Sequence, residues 1–134
     1  AGYYQNTLAL NSKHTLAHFG LGNAFLKSKQ MGAALLEYQR ALKLNPDHIP
    51  SYVNLGTAQM RLGRFDQGRK TYETILLKKP GMAKIHKYLG IIHTQMQESP
   101  DKAVFHLQEY IRLAPNQPDV AQIQSMVRTL TSKN

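Results

Sequence analysis

Apolar side chains recur three and four residues apart along most of the chain, the spacing of one face of an α-helix rather than the alternation of a strand. One run reads Leu21, Phe25, then Ala34, Tyr38, Ala41 and Leu44. Another carries Tyr52, Leu55, Tyr72 and Ile75, and a third Leu89, Ala103, Leu107, Tyr110 and Leu113. Pro46, Pro80 and Pro115 close the runs. The residue before a proline avoids the helical region, so a helix must end near each one. The pattern therefore predicts pairs of amphipathic helices. Leu21-Gly22, Leu55-Gly56 and Leu89-Gly90 follow one another at 34-residue intervals, a period that marks a repeat array. The three leucines are accordingly expected in like surroundings. Glycine inside a helix costs about 1 kcal/mol relative to alanine. Its return at one phase, opposite the small residues Ala34, Gly68 and Ala103, predicts close approach of paired helices.

Written out, the units are His18-x2-Leu21-Gly22-x2-Phe25 with Ala34-x3-Tyr38, Tyr52-x2-Leu55-Gly56-x2-Gln59 with Gly68-x3-Tyr72, and His86-x2-Leu89-Gly90-x2-His93 with Ala103-x3-Leu107. This pattern resembles the tetratricopeptide repeat, a helix–turn–helix unit of the same period. The resemblance implies an all-α, right-handed α-solenoid with full repeats at 15–48, 49–82 and 83–117. Residues 1–14 read as a half-repeat, because Tyr4 and Leu10 fall one period before Tyr38 and Leu44. Residues 118–134 read as a capping helix and tail. Pro118-Asp119 opens it, Val120, Ile123, Met126, Val127 and Leu130 form its stripe, and Gln122, Gln124, Ser125 and Arg128 form its wet side. About eight helices are expected, with one inserted residue at Glu98-Ser99-Pro100-Asp101. The opening Ala1-Gly2-Tyr3-Tyr4 reads as the middle of an element, hence as part of a longer protein.

Composition narrows the chemistry. The absence of cysteine removes disulfides, Cys-containing zinc sites and a cysteine nucleophile. No stretch is apolar enough to span a membrane. No targeting segment opens the chain, and the reading leans toward the cytoplasm without a signal that fixes it. Gly20-Leu21-Gly22 begins like a dinucleotide loop, but Phe25 stands at the third glycine and no strand precedes it. Nothing marks an enzyme, and no cofactor is expected. His14 and His18 are four apart, and His86 and His93 share a face, which could present metal ligands. His18, His86 and His93 fall where the repeat wants a ring, so packed neutral imidazoles are preferred and no metal site is expected.

Seventeen Lys and Arg against eight acids give a net charge of +9, a field that favours acidic partners. In the resembled family the first helix of each unit lines a concave groove. The positions implied for it are Phe19, Asn23 and Lys27, then Asn54, Thr57 and Arg61, then Lys84, Lys87, Tyr88, Ile91 and Gln95. The expected function is a non-enzymatic protein-interaction module for an acidic peptide or protein surface. One branch of the family clamps a C-terminal carboxylate. Asn23, Asn54 and Lys84 match that clamp, whereas Phe19 and Tyr88 replace its cations. Two alternatives stand beside this. One is end-to-end self-assembly into a homo-oligomer through apolar surface such as Tyr3 and Leu8. The other is nucleic-acid binding through the basic 61–87 region, disfavoured because no ladder of stacking rings accompanies it.

Overall fold

The structure, a computed structural model, describes residues 2–97 and 100–132, with side chains from Leu10 onward. These residues form seven helices and no strand: α1 (Gly2–Lys27), α2 (Met31–Leu44), α3 (Ile49–Arg61), α4 (Phe65–Lys78), α5 (Ala83–Gln95), α6 (Pro100–Leu113) and α7 (Val120–Ser132). The chain divides into two compact units, one ending at Thr71 and the other starting at Tyr72.

The turns within helix pairs repeat as the sequence does. Lys29, Gly63 and Gln97 take positive φ values of 64°, 76° and 54°, one period apart. A left-handed residue just past a helix end lets the next N–H reach back and close the last turn. The Gln30 N–H donates to the Phe25 carbonyl at 2.8 Å, and the Arg64 N–H to that of Gln59 at 2.9 Å. Glu98 and Ser99, two of the four residues among which the one-residue insertion is expected, lie outside the described residues, as do the side chains of Tyr3, Tyr4 and Leu8.

In the first unit α1 packs along α2, and α2 along α3. Ala34, Leu35, Tyr38, Leu55 and Ala58 form the buried centre, flanked by Phe19, Phe25, Leu26, Met31 and Leu42. A Cβ on Gly22 would lie 2.6 Å from the Tyr38 ring. In the second unit α5 packs on α6, and α6 on α7. Leu107, Tyr110 and Ile123 are its centre, and Val120, Met126, Val127 and Leu130 of α7 close over it. A Cβ on Gly90 would lie 2.5 Å from Leu107 Cδ2. Both glycines thus permit the close approach that their phase predicts.

Two expectations are corrected. Helix α1 runs unbroken from Gly2 to Lys27, so no turn separates residues 2–10 from the first helix of the following unit, and there are seven described helices instead of eight. The cause is readable one period later. Asn45-Pro46-Asp47-His48 breaks the chain, but Asn11-Ser12-Lys13-His14 has serine in place of proline and nothing stops the helix. The three leucines also differ. Leu55 is 7% exposed and Leu89 fully buried, yet Leu21 is 49% exposed. Leu55 is covered through α2, which precedes its own helix. No described helix precedes α1.

Candidate peptide-binding faces

Each first helix carries its expected residues at one helical phase, but the structure treats them differently. In the first unit Phe19 is half-buried against the core. Its ring lies 6.1 Å from Tyr38 and edge-on to His48 at 5.1 Å. Asn23 Oδ1 accepts from the Tyr38 hydroxyl at 2.6 Å and from Asn54 Nδ2 at 2.8 Å. This junction ties α1, α2 and α3 together. Burial pushes the Tyr38 hydroxyl above its ordinary pKa, which keeps it protonated as the donor. The hydroxyl of Thr57 turns back onto the Val53 carbonyl at 3.0 Å. Lys27 and Arg61 are exposed. Of the six residues expected to face a ligand here, these two present their charge outward.

Of the five residues expected in the second unit, Lys84, Lys87 and Tyr88, but not Ile91 or Gln95, line a hollow of about 450 Å³ together with Ala83, Tyr110, Ala114 and Gln117. Lys84 is exposed at the start of α5. Lys87 is half-buried, its Nζ 5.7 Å from the Tyr88 ring centre and 5.1 Å from that of Tyr110, within range of cation–π attraction. The same Nζ donates to Asp119 Oδ2 at 2.9 Å. Asp119 Oδ1 accepts from the Tyr110 hydroxyl. The two donors hold the Asp119 carboxyl below the usual carboxylate range. Burial, reinforced by that carboxylate, pushes Tyr110 up to about 12. Tyr88 stacks at a tilt on Tyr72, 5.4 Å away. Ile91 is half-buried and Gln95 exposed. Tyr110, Gln117 and Asp119 are absent from the sequence-derived set. Tyr110 reads as a core position and Asp119 as a helix opener, and no local pattern links Asp119 to Lys87 across 32 residues. A smaller hollow of about 270 Å³ is lined by Thr94, Gln122, Ser125, Met126, Thr129 and Leu130. It has no charged lining to select an acidic ligand.

His86 and His93 pack as rings against His106. His14 and His18 do share a helix, but His14 is exposed and His18 Nδ1 lies 2.6 Å from Glu37 Oε2. That contact, with the Arg40 guanidinium, holds the Glu37 carboxyl below its ordinary range. His86 and His93 are buried. His93 stacks on His106 at 5.7 Å and 4°, and His86 Nδ1 lies 3.0 Å from His106 Nδ1. Among the described residues no group of three or more His, Cys, Asp or Glu side chains is arranged to hold a metal ion, and no helix is long and apolar enough to cross a membrane. In α4, Arg69 and Lys70 lie 2.6 and 3.6 Å from Asp66, which offsets part of the basic run.

The family model for the tetratricopeptide repeat matches residues 25–90. No curated protein matches the sequence significantly. Solved structures of similar fold include the TPR domain of Arabidopsis OM64, at 22% identity and a TM-score of 0.81, covering 89% of this chain and 98% of that one. The first TPR of Spaghetti (RPAP3), bound to the HSP90 peptide SRMEEVD, aligns at 17% identity and a TM-score of 0.81, over 91% of this chain and 94% of that one. PcrH from Pseudomonas aeruginosa, in complex with the chaperone binding region of PopD, aligns at 19% identity and a TM-score of 0.77, over 87% and 90%.

Proposed function

Since the chain belongs to the tetratricopeptide-repeat family, we propose that it is a non-enzymatic protein–protein interaction module whose ligand is an acidic peptide or acidic protein surface. The observation that carries this reading is the hollow in the second unit, where Lys84, Lys87, two tyrosine rings and the Gln117 amide surround one space. Cations select carboxylates, the rings offer rigid apolar contact, and the amide can bond a peptide backbone. Lys27 and Arg61, exposed on the first unit, supply further positive charge. That solved proteins of the same fold hold peptides supports the reading without naming this chain's partner. The site is held by packed helices, so little ordering cost falls on the protein side.

The test uses the acidic peptide SRMEEVD, seen with one structural neighbour, as a labelled probe in fluorescence anisotropy. Wild-type protein should bind it, and Lys84→Glu should bind at least about fivefold more weakly, since reversing a charge removes one attraction and adds one repulsion. Equal affinity for the two proteins discards Lys84 as a ligand contact. Salt separates the partner classes. One or two ion pairs give a shallow salt dependence, whereas phosphate-backbone binding falls steeply and linearly on logarithmic axes.

A further inference from the structure

The ammonium that the proposed site offers at its centre is already held by a carboxylate of the chain itself. Lys87 Nζ donates to Asp119 Oδ2 at 2.9 Å, and the Tyr110 hydroxyl holds the other oxygen. Lys87, Tyr110 and Lys84 all line the same hollow. A ligand carboxylate that used Lys87 would need the position that Asp119 occupies. We infer that Asp119 is an internal competitor for the acidic ligand, so that peptide binding requires its side chain to give way. The inference rests on the proposed function above and specifies how that site is regulated.

Exposure decides whether such an exchange is feasible. The side chains of Lys87 and Asp119 retain 24% and 31% of their accessible surface. A pair still in contact with water is held weakly, whereas a fully buried pair would leave an uncompensated charge on opening. The surroundings also permit it. Asp119 stands directly before α7, and its backbone carbonyl accepts from the Ile123 N–H at 3.0 Å. Rotation of the side chain leaves that bond in place, so release of the carboxylate does not require α7 to unwind. Lys87 keeps its contacts with the Tyr88 and Tyr110 rings and stays aimed at the hollow. Asp119 thereby sets a threshold. A ligand with a single weak carboxylate gains little by displacing it, and one that engages Lys84 and Lys87 together gains more.

Asp119→Asn tests this, because it removes the charge while leaving an oxygen to accept from Tyr110. Titrated with SRMEEVD at low salt by calorimetry, the variant should bind about two- to fivefold tighter than wild type, the range of a partly exposed ion pair. Lys87→Met should then weaken binding more in the Asp119→Asn background than in wild type, a non-additivity that simple loss of packing does not produce. If Asp119→Asn melts below the assay temperature, Asp119→Ser takes its place with the same expected direction, since it removes the charge and keeps a hydroxyl directly before α7. Unchanged or weaker binding by the folded variant, while wild type binds, overturns the inference and leaves the proposed function intact. An additive cycle overturns it equally. Failure of wild type and variant alike to bind overturns both.

Discussion

His106 should make the second unit acid-labile. Its ring sits on α6, half-buried, stacked on His93 and 3.0 Å from His86 Nδ1. His86 Nε2 lies 3.0 Å from the Pro80 carbonyl. A carbonyl only accepts, so that nitrogen carries the hydrogen. Burial first, then the charges of His86 and His93, lower the His106 pKa to about 4, against the opposing charge of Glu109. In the unfolded chain the value returns to about 6.5. As pH falls from 6.5 toward 4 the unfolded chain therefore takes up a proton that the folded one refuses, and stability declines through that window. Above about pH 6.5 it is fully present. The gap, at about 1.4 kcal/mol per pH unit, sets a ceiling of about 3 kcal/mol, and solvent screening of a half-buried ring brings the expected loss to about 1–2 kcal/mol. Urea unfolding followed by circular dichroism at pH 7.0 and pH 4.5, on wild type and His106→Gln, measures it. Wild type should lose about 1–2 kcal/mol more than the variant across that interval. His48, lowered by burial, contributes equally to both proteins and cancels. Equal losses would refute the assignment.

The glycine phase gives a paired test. Gly90→Ala places a methyl 2.5 Å from Leu107 Cδ2 and 3.3 Å from the Ala103 carbonyl, so it should destabilise by about 1–3 kcal/mol. Gly20→Ala meets nothing within 4 Å and should stabilise by up to about 1 kcal/mol; thermal melts that rank the two in the opposite order would sink the close-approach argument. Glu37 is buried between His18 and Arg40, and Glu37→Gln should cost about 1–3 kcal/mol at pH 7. Because the Glu37 pKa is lowered in the fold, its contribution disappears as pH falls below the ordinary carboxylate range, so the wild-type and variant curves should converge in acid.

What sequence reveals here follows from which interactions are local. The repeat was legible because its determinants are close in the chain and recur. Prolines stop helices, and Gly22 and Gly90 receive the side chains of Tyr38 and Leu107. The length of α1 was legible too, through Ser12 at the phase of Pro46 and Pro80, although the resemblance to a half-repeat pointed the other way. The faces were less so. Helical phase says where a side chain leaves the helix, not what reaches it from another element. Asn23 and Asn54 leave α1 and α3 at the expected phase, yet Tyr38 arrives from α2 and converts the pair into a tie between helices. Lys87 leaves α5 as expected and is met by Asp119 from beyond α6. Lys84, in the first turn of α5, stays exposed, and no ion pair reaches it among the described residues. Two lysines three residues apart on one helix therefore differ in availability for a reason that lies 32 residues downstream of Lys87.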